Sequence, residues 1–264
     1  MGGVRDAEAL VSARQEVRRA ARTAGFGAVT AAMLPAFLAR AALAQPRDRE
    51  ELRGRWVGAW CSALLAMFGV RVLVRGDMPA AGIGHLVVAN HRSTADILVL
   101  LRAFGGRMVS RKDLATWPLV GVAARAAGTV FVDRADAASG ATAVRSIASH
   151  LAEPSTVIVF PEGTTFPGDE VRPFRTGTFV SALQSGADVI PVGLAYARDS
   201  EAAFVGESFP AHLSRMAGAE PSLVAMCVGS PIVIDSESRS TRLRDLAQAE
   251  VQRLVHEARR LVDG

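Results

Sequence analysis

The chain holds 264 residues, half of them apolar, with a formal net charge of +4. That is enough for one large core with a short appendage, and the lack of low complexity or of repeats of about 20 to 50 residues excludes a disordered chain and a solenoid. The basic residues are nearly all Arg, with Lys112 the single lysine; guanidinium forks favour anionic partners, whereas few aromatics and no basic recognition motif exclude nucleic acid.

From Ala9 to Ala24 the apolar residues Leu10, Ala13, Val17, Ala20, Ala21 and Ala24 recur at helical spacing, and Arg14, Arg18, Arg19 and Arg22 fill much of the other face. This pattern predicts an amphipathic basic helix suited to an anionic membrane surface. An uncharged run from Gly25 to Ala39 follows. At roughly 22 Å as a helix it is short of the roughly 30 Å hydrocarbon core, and Pro35 breaks it, so an interfacial or re-entrant segment is expected in place of a full span. A second uncharged run, Trp56 to Val70, carries Trp56 and Trp60 where interfacial anchors belong. Residues 1–69 therefore read as an interfacial helical hairpin turning at Gln45-Pro46-Arg47-Asp48, ahead of a separately foldable body, 70–264. Two helices packed on the core are the alternative. Ala42-Leu43-Ala44 resembles a signal-peptide cleavage site, but the long stretch before it and Arg40 argue against cleavage. Cys61 and Cys227 sit in apolar runs without metal-ligand spacing, as buried thiols of a reducing compartment do.

From Val70 onward short apolar runs alternate with helical patterns, which predicts an α/β fold: a single, largely parallel mixed sheet flanked by helices. Strands are expected at 70–74, 85–89, 107–110, 129–132, 156–160, 188–194 and 223–228, with a last short one at 232–234. Helices are expected at 95–103, 119–127, 138–151, 176–183 and 241–262. In such sheets ligands gather at the carboxyl ends of strands.

The first such end is Ala89-Asn90-His91-Arg92-Ser93-Thr94-Ala95-Asp96. A buried strand stops at His91, Ser93 or Thr94 caps the helix that follows, and Asp96 falls in its first turn. Helical side chains lean toward the N-terminus, so the Asp96 carboxylate reaches back to one imidazole nitrogen and leaves the other to take a proton. Both side chains are expected at a loop and helix start, outside the core. The pair is two thirds of a Ser-His-Asp arrangement, with the nucleophile left to the substrate. Three further ends carry polar groups: Gly128 to Arg134 closes on an Asp-Arg pair, Phe160 to Thr165 places Glu162 before the turn residue Gly163, and Val189 to Leu194 contains Pro191. That proline suits an edge, a bulge or a strand start.

Asn90-His91-x4-Asp96, Gly128 to Arg134, Phe160 to Thr165 and Val189 to Leu194 match, in order and at typical separations, the four motifs of the 1-acylglycerol-3-phosphate acyltransferase family of glycerolipid acyltransferases. The motifs span about 105 residues, and the α/β pattern extends the likeness from about Val70 to Ile234. The resemblance implies acyl transfer from acyl-CoA or acyl carrier protein to the hydroxyl of a lysolipid, with no cofactor and no metal. His91 removes the hydroxyl proton, and Asp96 fixes the tautomer and stabilises the imidazolium. A thiolate leaves readily, and neither cysteine is placed to form an acyl-enzyme. Arg134 is the candidate for an acceptor phosphate through bidentate contacts. Glu162 and Gly163, followed by Thr164, match the motif that helps bind the acceptor, with Glu162 expected to hold a second hydroxyl. Arg111, Lys112, Arg172 and Arg175 extend the anionic site, and the helix starting near Thr94 offers N–H groups to a phosphate or an oxyanion.

The expected acceptor is 1-acylglycerol 3-phosphate, giving phosphatidic acid, at the cytoplasmic face of the cytoplasmic membrane as a peripheral or monotopic protein. Arg92 after the histidine is shared with many glycerol-3-phosphate acyltransferases and keeps that acceptor open, along with a non-phosphate lysolipid such as lyso-ornithine lipid. A serine hydrolase lacks its GxSxG elbow here, and nucleotide loops are missing. A non-catalytic membrane-binding protein is the alternative of another class, and it leaves the convergence of His91, Asp96, Arg134 and Glu162 without a reason.

Overall fold

Seven strands form one sheet in the order β1-β7-β6-β2-β5-β3-β4. They are β1 (Val70–Arg75), β2 (Leu86–Ala89), β3 (Arg107–Arg111), β4 (Val130–Val132), β5 (Val157–Val159), β6 (Val189–Tyr196) and β7 (Ser222–Val228). Five of the six pairings are parallel, and only β6 and β7 run against each other. The computed structural model describes residues 2–264 except 81, 82, 118, 134–136, 154 and 199, and gives no side-chain account of 2–10 and 137–139.

The helices are α1 (Gly2–Leu43), α2 (Arg49–Phe68), α3 (Ala95–Phe104), α4 (Val120–Ala126), α5 (Ala137–Leu151), α6 (Gly177–Ser185), α7 (Phe209–Gly218) and α8 (Ser240–Asp263). All seven expected strands and the five expected body helices are present. Helix α7, which the sequence reading missed, begins at Ser208, whose side chain accepts a hydrogen bond from Ala211 N, with a proline in its first turn. The expected strand at 232–234 is reduced to a single bridge between Val189 and Ile232.

Strand alternation assigns the two layers. Val87 and Ala89 face a core shared with α1, α2 and α3, whereas Leu86 and Val88 face one shared with α5, α6 and α8. Pro191 lies in a central strand, yet at a bulge, as one of the sequence alternatives had it. Val192 faces Val228 and Val189 faces Ile232, so three steps on one chain oppose four on the other. The Pro191 carbonyl accepts from Gly229 N there, and the missing N–H falls where the ladder lapses. Gly193 is required by the approach of α8: a Cβ there would lie 2.3 Å from the Leu254 carbonyl carbon. Gly193→Ala is expected to destabilise the fold by about 1–3 kcal/mol through overpacking, read as a lowered Tm.

The N-terminal segment differs from its sequence reading in four respects. Helix α1 passes through Pro35 without ending. The proline costs roughly 3 kcal/mol in a helix interior, and the buried neighbours Leu34 and Phe37 offset it by packing into the core. By length and composition α1 is able to cross a membrane, since an apolar window within Val11–Leu43 has a mean hydropathy of 1.6. Trp56 and Trp60 are not presented as anchors. Trp56 is buried and stacked on Phe37 at 4.6 Å, and Trp60 Nε1 donates to Thr30 Oγ1 at 3.1 Å. Three of the four arginines assigned to lipid instead hold α1 to α7 and the turn after it: Arg18 pairs with Glu220, Arg19 donates to Ser214 O, and Arg22 donates to Ala219 O. The hairpin and the sheet share one hydrophobic core, in which Leu34, Trp56, Cys61 and Phe68 pack with Val87, Ile158 and Ile190. Burial pushes the thiols up, Cys61 to about 12 and Cys227 to about 11, which leaves both inert as nucleophiles at neutral pH.

Candidate active site

Parallel register brings the distant motifs together. Val88 of β2 is abreast of Val159 of β5, so His91 and Glu162, each three residues further on, emerge side by side. Phe160, one residue beyond β5, lies flat against the His91 ring with centroids 3.8 Å apart. On the other flank Asn90 continues the β2–β6 ladder with its side chain, donating to Leu194 O at 2.9 Å and accepting from Leu194 N at 2.8 Å. The loop leaving β2 is thus pinned on both sides before the histidine is reached.

Asp96 is fully buried, contrary to its expected place outside the core, and His91 keeps 16% of its side chain exposed. His91 Nδ1 donates to Asp96 Oδ2 at 2.9 Å. The same oxygen accepts from Arg92 N at 2.6 Å and Ser93 N at 2.8 Å, while Oδ1 accepts from the Tyr196 hydroxyl at 2.6 Å. Four donors converge on the buried carboxylate and fix its orientation. With Nδ1 committed, Nε2 is the nitrogen left to accept a proton.

At the start of α3 most of the donors expected for a phosphate or an oxyanion are taken, and between residues 92 and 97 Thr94 N is the one with no partner among the described residues. Arg92 N and Ser93 N serve Asp96, Ala95 N serves Ser93 Oγ, and Asp96 N and Ile97 N close turns onto Ser93 O and Thr94 O. Ser93 is a cap, as the sequence indicated, and Ala95 N is its donor.

Glu162 is likewise spent. Its buried carboxylate accepts from His91 N at 2.6 Å, from Arg172 N at 2.8 Å and from the Arg92 guanidinium at 2.9 Å. Both oxygens are engaged, which removes the expected contact with a substrate hydroxyl. Arg92 also donates to the carbonyls of His91, Gly168 and Glu170. The loop it captures is held from behind by α8, where Gln252 and Gln248 accept from Val171 N and Phe174 N and Arg259 forks onto Asp169.

Gly163 has φ +85°, a conformation glycine adopts without strain, and a Cβ there would lie 2.8 Å from Arg175 Nε. Arg175 therefore lies over the turn beside the site, with Thr164 exposed next to it. Arg172 stacks over Phe166 at 5.4 Å. Arg111 is bidentate to Asp113, and Lys112 is 3.6 Å from Asp133, so both expected cations are exposed and paired. Arg134 lies outside the described residues.

His91, Gly163, Thr164 and Thr165 line one end of a cavity of about 300 Å³. Its walls are mostly apolar and come from α1 (Phe26), α2 (Trp60, Leu64, Phe68), α3 (Leu98, Leu101) and α4 (Val120, Ala123). Among the described lining residues Arg111 is the single arginine, and there is no lysine. The size lies at the low end of small-molecule sites, about 300–1,000 Å³.

The sequence reading missed Tyr196, Asn90, Phe160 as the stacking partner, and Arg92 as the central tie. Asn90 and Phe160 belong to motifs already singled out, and Tyr196 follows the fourth motif by two residues, but no local pattern says what each touches.

A family model described as Acyltransferase matches residues 71–195. The chain is 33% identical over 207 residues to a lyso-ornithine lipid O-acyltransferase of Pseudomonas aeruginosa, covering 76% of this chain and 79% of that one. It is 31% identical over 144 residues to a 1-acyl-sn-glycerol-3-phosphate acyltransferase of Neisseria gonorrhoeae, covering 54% of this chain and 56% of the relative. The crystal structure of the 1-acyl-sn-glycerophosphate (LPA) acyltransferase from Thermotoga maritima superposes with a TM-score of 0.72 at 22% identity, over 92% of this chain and 97% of that one, and so shares the fold.

Proposed function

The chain belongs to the glycerolipid acyltransferase family and is by that membership an O-acyltransferase, and we propose that it moves a fatty acyl group from acyl-CoA or acyl carrier protein to the free hydroxyl of 1-acylglycerol 3-phosphate, forming phosphatidic acid. The observation that carries this reading is the pairing of His91 with a buried, four-donor Asp96 at the mouth of an apolar cavity. The acceptor hydroxyl loses its proton to His91 Nε2 as its oxygen attacks the thioester carbonyl. Asp96 stabilises the imidazolium, the carbon–sulfur bond breaks, and the proton passes to the departing thiolate. No acyl-enzyme is formed. The cavity takes an acyl chain, Gly163, Thr164 and Arg175 meet the acceptor, and Lys112 adds positive charge at the rim. Glu162 acts through the loop it holds.

A second acceptor, lyso-ornithine lipid, is favoured by the Pseudomonas aeruginosa relative and by the single paired arginine in the described cavity lining. Purified protein supplied with acyl-CoA or acyl carrier protein and a panel of lysophosphatidate, glycerol 3-phosphate and lyso-ornithine lipid decides between them, read by mass spectrometry of the product lipid. Turnover of none of the three would sink the reading.

Arg134→Ala is expected to raise the acceptor KM by about 10- to 100-fold when the acceptor carries a phosphate, the worth of one charge-assisted hydrogen bond. An unchanged KM for lysophosphatidate would remove Arg134 from the acceptor site.

For the membrane, we assign a peripheral or monotopic attachment at the cytoplasmic face through α1 and α2. Each basic residue near an anionic surface is worth about 1 kcal/mol; with Arg18, Arg19 and Arg22 docked on α7 and its following turn, apolar burial is the larger force. Carbonate is expected to release part of the full-length protein, and liposome flotation to retain it. Protein held wholly in the carbonate pellet would show instead that α1 spans the bilayer.

A further inference from the structure

The chain contains a single tyrosine, Tyr196, and the last residue of β6 delivers it to the carboxylate that holds the base. Its ring is buried, and its hydroxyl donates to Asp96 Oδ1 at 2.6 Å, the oxygen turned away from His91. The Tyr196 backbone is fixed in turn, because its carbonyl accepts from Arg259 at 2.6 Å and Arg259 is clamped on Asp169. Burial and the neighbouring Asp96 charge raise the phenol well above its usual range, so it remains an O–H donor. The other charged and titratable groups around the pair are Arg92 and Glu162 from the β2 and β5 loops. His212 of α7, held by Glu207 and Arg215, feels the Asp96 charge, while burial keeps its pKa below the usual histidine value.

We propose that Tyr196 is a positioning residue of the acyl transfer, whose hydroxyl draws charge from the far oxygen of Asp96 and so limits the hold of that carboxylate on the His91 imidazolium. This rests on the His91–Asp96 base reading. A carboxylate relieved of one donor holds the imidazolium more tightly, and a base that stays protonated to higher pH is idle over part of the working range.

The test uses the full-length protein in two altered forms. Tyr196→Phe is expected to lower kcat about tenfold, a fraction of the roughly 10²–10⁴ that a general base supplies, with both KM values nearly unchanged and the acid limb of the pH–rate profile moved to higher pH. Because the chain has one tyrosine, growth on 3-fluorotyrosine labels this position alone. The fluorinated phenol is a stronger donor, so the acid limb is expected to move the opposite way, and the fluorine resonance reports protonation events at the pair. If Tyr196→Phe does not fold, the fluorinated protein carries the test unaided. Folded protein of either form with an unshifted acid limb overturns the proposal. Full activity in His91→Ala overturns it together with the base reading, whereas an inactive His91→Ala beside silent tyrosine variants overturns it alone.

Discussion

His91→Ala is expected to remove acyl transfer, by about 10²–10⁴ in kcat/KM, while the protein unfolds at an unchanged temperature. The ring is partly exposed and, among the described residues, makes one polar bond, to Asp96, so truncation leaves a cavity edge and not a buried hole. Asp96 behaves differently. Its carboxylate satisfies two backbone N–H groups and the Tyr196 hydroxyl besides the imidazole. Asp96→Ala therefore costs stability as well as activity, about 1–3 kcal/mol for each donor left dry. Asp96→Asn keeps the shape and most of the acceptors but loses the charge that stabilises the imidazolium, and it should be folded and slow. Turnover by purified His91→Ala or Asp96→Asn at near-normal rate, with circular dichroism showing a folded chain, would exclude the pair from the chemistry.

Glu162→Ala is the second large effect. It leaves the Arg92 guanidinium buried and unpaired, and strands His91 N and Arg172 N. Breaking a buried ion pair on one side costs about 3–5 kcal/mol, and at about 2–4 °C per kcal/mol for a chain of this size the melting temperature falls by roughly 6–20 °C. Activity measured below that temperature falls with it, because the loop that presents His91 loses its second wall. A carboxylate that bound the acceptor directly would show the reverse: Glu162→Gln with a raised acceptor KM and an unchanged melting temperature. Thermal melts beside acceptor titrations separate the two roles.

Much of this was legible in the sequence. The alternation of short apolar runs with helical patterns located every strand of the sheet, because a buried parallel sheet demands continuous Val, Ile and Leu. The five-residue spacing placed His91 and Asp96 in contact, because a first-turn side chain leans back over the loop before it. The proline in the fourth motif was expected at an edge, a bulge or a strand start, and the bulge is the one the structure has. These are local rules, and they work where the determining atoms lie within a few residues of one another.

Charges and aromatic rings were a different matter. Glu162, Arg18 and Arg22 were read as groups for substrate or lipid, and each is engaged inside the protein. Trp56 was read as an anchor and is a core ring. A long polar or aromatic side chain reaches several ångströms in any direction, so its partner is chosen by whatever the sheet order brings alongside. Here β2 is set between β5 and β6, strands far later in the chain, and that order decides that Glu162 supports the histidine loop and that Tyr196 supports the aspartate. The sequence alone determined the seven strands and the His91–Asp96 contact. Only the tertiary structure decided which buried groups hold that pair in place, because those contacts depend on strand order and not on spacing along the chain.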